Sequence, residues 1–195
     1  MCCYGKGSEK MISYGLIFKL FLIALYIPFF IRRIKRHDTA VQCIASLLFC
    51  AYLISIIGIV FFPIMFEVAI PTFTFKSAIN IIPFKTILEI QRNLSFSTFS
   101  KQVFGNVILF IPFGFFIPLV NEKAQKISYI ITISFLASLG IELVQLVIDI
   151  ITQHLNRIVD IDDIILNVFG AIIGFGLLKL TKMVLNKLDC NILDF

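Results

Sequence analysis

The sequence has no tryptophan, and only 15% of its 195 residues are charged. The first absence leaves tyrosine as the one amphipathic aromatic for a membrane–water boundary, beside 22 phenylalanines. The second excludes an ordinary soluble domain, which is about a quarter charged. No nucleophile elbow, HExxH or phosphate loop is present, and the DIDD run at 160–163 lacks the Gly and later Glu of a calcium loop. No standard signature therefore assigns an enzyme or a metal site. The five cysteines, Cys2, Cys3, Cys43, Cys50 and Cys190, contain no CxxC pair and are odd in number, which favours reduced structural thiols over a disulfide or metal framework. The net charge of +5 is carried by short basic clusters between apolar spans, so no nucleic-acid partner is expected.

What the chain has is apolar length. It is 59% hydrophobic, with a mean hydropathy of +0.99. The expectation is an all-α polytopic membrane helix bundle with about five transmembrane helices and a short interfacial amphipathic helix. The run 11–31 carries one charge, Lys19, and is long enough to span a bilayer, which takes ~20 residues. Residues 39–66 and 102–121 carry no charge, and the second of these runs holds Asn106, Pro112 and Pro118. Each proline frees a carbonyl one turn back, so a kinked helix is expected there. A fourth span covers 127–151 and a fifth begins near Asp160. Between spans two and three, Phe84, Ile87, Leu88 and Gln91 alternate with Lys85, Glu89 and Arg92 at the spacing of a helix lying in the interface. The organisation expected is an N-terminal helix with a basic cytoplasmic loop at 1–38, a membrane domain at 39–188 and a tail at 189–195.

The stretch 157–167, RIVDIDDIILN, sets one Arg and three Asp directly before an apolar run. Charge is costly there and calls for a reason. Asp160, Asp163 and Asn167 share one helix face, and Asp162 lies off it. The fourth span carries Ser134, Ser138, Glu142, Gln145 and Asp149 at spacings that form one stripe. Gly170 and Gly174 make a GxxxG, which admits a close neighbour. The bias of Lys and Arg in the short loops favours the N-terminus outside and the C-terminus inside the cytoplasmic membrane. Asn80, Asn106, Glu142, Gln145, Arg157, Asp160 and Asp163 then fall in the outer half, with Asn167 just beneath. A structural account competes with a functional one: Asp160 as N-cap of the last helix, Asp162 and Asp163 in its first turn, and Glu142 as a clamp to Asn106 or Arg157.

Four blocks, NIIPFKTI at 80–87, GNVILFIPFGFFIPL at 105–119, IELVQ at 141–145 and RIVDIDDIILNVFGAIIGF at 157–175, occur in the order seen in the VanZ-like family of bacterial membrane proteins, which the chain resembles over roughly 45–180. The resemblance implies a small helical cytoplasmic-membrane protein from a Gram-positive bacterium. The founding member is associated with lowered susceptibility to the glycopeptide antibiotic teicoplanin. The leading functional expectation is an outer-leaflet polar site for an envelope amphiphile: a lipid, a lipid-linked wall precursor or the acyl tail of a lipoglycopeptide. Its binding residues would be the eight named above, with Arg157 pairing an anionic head group and a divalent cation or a proton at Asp160 and Asp163. A membrane-embedded hydrolase or transferase, with Glu142, Asp160 and Asp163 as candidate acid and base, is the alternative. A small transporter is the second alternative.

Overall fold

The computed structural model describes residues 10–35, 39–66, 73–85, 88, 96–121 and 124–188. In chain order the elements are β1 (Lys10–Ile12), α1 (Leu16–Lys35), α2 (Ala40–Phe61), β2 (Ile64–Phe66), α3 (Phe75–Ala78), β3 (Ile79–Asn80), α4 (Phe96–Val120), α5 (Ile127–Thr152), β4 (Val159–Asp160) and α6 (Ile161–Lys187). The fold is an all-α bundle. The strands are only short ties: β1 pairs antiparallel with β2, and β3 runs parallel to β4.

Four helices, α2, α4, α5 and α6, are long and apolar enough to cross a membrane. The first helix forms where expected. However, Lys19, Arg32, Arg33 and Lys35 leave only residues 20–31 uncharged within it, a length of ~18 Å against a hydrocarbon core of ~30 Å. Of the interfacial amphipathic helix, only Phe84, Lys85 and Leu88 are described. The Leu88 N–H donates to the Phe84 carbonyl at 3.0 Å, the bond of one helical turn.

α2 starts at a capping box in which the Thr39 side chain accepts from the Gln42 N–H and the Gln42 side chain accepts from the Thr39 N–H. α4 runs unbroken through Pro112 and Pro118. Neighbouring side chains serve its carbonyls: the Tyr52 hydroxyl donates to Leu109 at 2.8 Å, Gln125 to Pro118 at 2.9 Å, and Arg33 to Val120 at 2.7 Å.

The tightest pair in the bundle is α4 against α6. A Cβ at Gly170 would collide with the Val107 carbonyl, one at Gly174 with the Ile111 carbonyl, and one at Gly114 with the Ala171 carbonyl. The GxxxG on α6 thus brings two backbones into contact, with Gly114 answering from α4. Phe49, Phe110, Phe113, Ile130 and Phe175 fill the core beside this seam. Large apolar side chains on the outer faces, such as Ile44, Leu48, Ile108, Val147, Phe169 and Leu180, are exposed in the isolated chain. A belt of this kind is stable only in lipid. Cys43 and Cys50 are in the thiol form, and the other cysteines lie outside the described residues.

Candidate functional site

The site is assembled around the start of α6. Asp160 is its N-cap, and the side chain accepts the Asp162 N–H at 3.0 Å. The same carboxylate accepts from the Asn80 amide at 3.0 Å, and the Asp160 N–H donates to Glu142 at 3.0 Å. Asp162 accepts the N–H of Phe84, a residue at φ 62°. A bulky residue in the left-handed region costs about 1–3 kcal/mol, which a charge-assisted bond from a buried carboxylate offsets. Asp160 and Asp162 therefore fasten the 79–84 loop to α6. Both are buried, at 2% and 1% exposure.

One residue further on, Asp163 turns to α4. Asn106 donates to it, and Gln102 does so at 3.4 Å. One turn along α6, the Asn167 amide nitrogen donates to the Ser138 hydroxyl of α5 at 2.8 Å. The Asn167 amide oxygen is buried and has no hydrogen-bond partner. The α5 stripe is inward-facing throughout, with Ser134, Ser138, Glu142, Gln145, Asp149 and also Thr152 all buried.

Two of the expected site residues complete α2. Gln145 donates to the Val60 carbonyl and Arg157 to the Ile59 carbonyl, both at 3.2 Å. These are last-turn carbonyls with no partner inside their own helix. Asp149 accepts the Asn156 N–H at 3.0 Å, and the Asn156 side chain accepts from the Met65 N–H at 2.8 Å. The 153–159 loop is thereby pinned to β2.

The result is a cavity of about 240 Å³ between α2, α4, α5 and α6. Asn106, Glu142, Gln145, Arg157, Asp163 and Asn167 line it. Asn80 and Asp160 do not; they form the clasp behind it. Lys101 and Gly105 line it as well, and Gln102 supports Asp163. The sequence pattern does not single them out: Lys101 lies just before the uncharged run 102–121, and Gln102 and Gly105 lie inside it. The signal available was the i, i+4 spacing of Gln102 and Asn106, which puts two amides on one face. Glu142 proves to clamp the Asp160 backbone rather than Asn106 or Arg157. Among the described residues no three His, Cys, Asp or Glu side chains converge as a metal site, and the Asp160 carboxylate is engaged by Asp162 and Asn80.

A multi-pass α-helical membrane protein, with a polar cavity let into one end of its bundle, is the class this architecture defines. The VanZ/LLP1 family pattern matches residues 49–182, and the chain belongs to that family. The matched segment contains every cavity residue named above. No curated protein and no solved structure matches the chain.

Proposed function

We propose that the cavity binds the polar head of an envelope amphiphile at the outer leaflet of the cytoplasmic membrane. The observation that carries this reading is a cavity lined by two carboxylates, Glu142 and Asp163, beside the buried Asn167. Carboxylates held in such a place are costly without donors, and a ligand that supplies them lowers the cost. Capping explains Asp160, Asp162, Gln145 and part of Arg157. It does not explain Asp163 and Asn167, which line the cavity.

The outer placement is supported by charge. The opposite end of the bundle carries Arg32, Arg33, Lys35, Lys126, Lys179, Lys182 and Lys187, the bias of a cytoplasmic face. Because β1 pairs with β2 just beyond the cavity end of α2, the N-terminal side of α1 is then outside and the C-terminus inside. Single cysteines at Lys76 and Lys126, in a background with the native cysteines replaced by serine, check this. An impermeant thiol reagent added to intact cells labels the first and spares the second; the reverse pattern rejects the orientation.

We infer that the site bears on glycopeptide susceptibility, the property associated with the founding member of the resembled family. Expressed in a sensitive Gram-positive strain, the wild type lowers teicoplanin susceptibility and Asp163→Ala does not. Equal protection from both at matched protein levels discards the site. The two carboxylates facing one cavity, Glu142 and Asp163, favour a second reading as acid and base on a lipid-linked precursor. Purified protein that forms no product from such precursors removes that alternative.

A further inference from the structure

The cavity has a radial order of charge. Its floor carries the carboxylates: Glu142 is buried and Asp163 half-buried, beside the buried Asn167. Its rim is cationic: Lys101 on α4 and Arg157 before α6 line the mouth and are exposed. Carboxylates in a low-dielectric floor repel phosphate and call for N–H donors with positive charge. Exposed Lys and Arg at the mouth suit phosphate oxygens. A head group that enters ammonium-first and leaves its phosphate at the rim satisfies both zones and adds no net charge to the bilayer.

An apolar cleft of about 200 Å³ adjoins the cavity. Leu53 and Ile57 of α2, Phe110 and Phe113 of α4, and Ala137 of α5 line it. Val60 and Ile141 line both spaces. Each of these cleft residues lies about one turn or more toward the middle of the bundle from its cavity counterpart: Ala137 against Ile141, Phe110 against Asn106, Ile57 against Val60. In a lipid with such a head group the acyl chains leave from the phosphate side, so a chain turns back at the rim and runs down this cleft along the direction of the lipid tails.

Resting on the reading of the cavity as an amphiphile site, we infer that its ligand is a zwitterionic lipid with a primary ammonium and a phosphate. The ammonium sits on Glu142 and Asp163, the phosphate on Lys101 and Arg157, and one acyl chain in the cleft beside Ala137.

Native mass spectrometry on the detergent-purified full-length protein tests this with four probes: phosphatidylethanolamine, phosphatidylcholine, phosphatidylglycerol and soluble phosphoethanolamine. Phosphatidylethanolamine is expected to bind about tenfold or more tightly than either other lipid, because only it brings N–H donors and a positive charge. Asp163→Asn removes that preference. Lys101→Gln, an exposed change that leaves folding intact, weakens all phosphate-bearing probes. Ala137→Phe and Ala137→Trp weaken the lipids progressively and leave phosphoethanolamine unchanged. Phosphatidylglycerol bound as well as or better than phosphatidylethanolamine, with Lys101→Gln still weakening it, overturns the ammonium-first ligand but leaves the amphiphile site standing. Lipid binding that no cavity or cleft variant alters overturns both.

Discussion

At the end of the bundle where α1, α4 and α6 finish, every described charge is basic, and most of these side chains reach solvent. At the other end lie all five described acids, Glu142, Asp149, Asp160, Asp162 and Asp163, and four of them are buried. Both ends face the same physical demand, since each helix terminus leaves carbonyls or amides to be satisfied. The basic end meets it economically: the Thr39–Gln42 capping box, Arg33 on Val120 and Gln125 on Pro118 close the termini. The acidic end closes its termini in the same way and then holds more polar groups than closure requires. That surplus, Asp163 and Asn167 beside Glu142, is what the proposed site rests on.

The largest effect that sharpens this contrast comes from the seam holding the two α6-facing walls in place. Gly170→Leu drives a side chain into the Val107 backbone and should cost more than about 3 kcal/mol, a fall of about 10 °C in thermal unfolding in detergent. Gly176→Leu, on an exposed face with nothing within 4 Å of its Cβ position, should shift stability by no more than about 0.5 kcal/mol. Equal losses would mean that the helices do not meet along this seam.

Next in size is the comparison of caps. Asp160→Ala loses an N-cap and the bond from the Asn80 amide, so about 2 kcal/mol or more is expected. Thr39→Ala at the basic end loses only a capping box, about 1 kcal/mol. Thermal melts of the two variants check the order. An equal cost at both ends would remove the case for Asp160 as the clasp of the 79–84 loop.

The smallest stability effect is the most diagnostic. Glu142→Gln keeps an oxygen to accept the Asp160 N–H, so its melt should stay within about 1 kcal/mol of wild type. Glu142→Ala strands that buried N–H and should cost about 1–3 kcal/mol. Protection against teicoplanin should fall in both. Protection retained by the glutamine variant would assign Glu142 to the clamp alone and leave Asp163 as the acid that matters.

Particular residues show how far the sequence could be read. The α5 stripe was legible because 3.6-residue periodicity puts Ser134, Ser138, Glu142, Gln145 and Asp149 on one side whatever they pack against. The Gly170–Gly174 contact was legible for the same reason, although its partner Gly114 was not. Lys101 was lost to a boundary drawn at the first uncharged residue. The division of labour among the acids was not visible either: Asp160, Asp162 and Asp163 are neighbours in the chain, yet they bind Asn80, Phe84 and Asn106 respectively. Those partners come from segments 57 to 80 residues away, and local spacing does not report on them.

Composition and periodicity by themselves determined that this chain is a helical membrane protein, where its long helices run, and which of their faces are polar. Those properties follow from transfer free energy and helix geometry, which act on each segment separately. Only the tertiary structure decided which polar groups are consumed in closing helix ends and which remain free around a cavity. That outcome depends on which donors reach which acceptors once the backbones of α4 and α6 touch, and hydrogen bonding at fixed distance is a property of the assembled bundle.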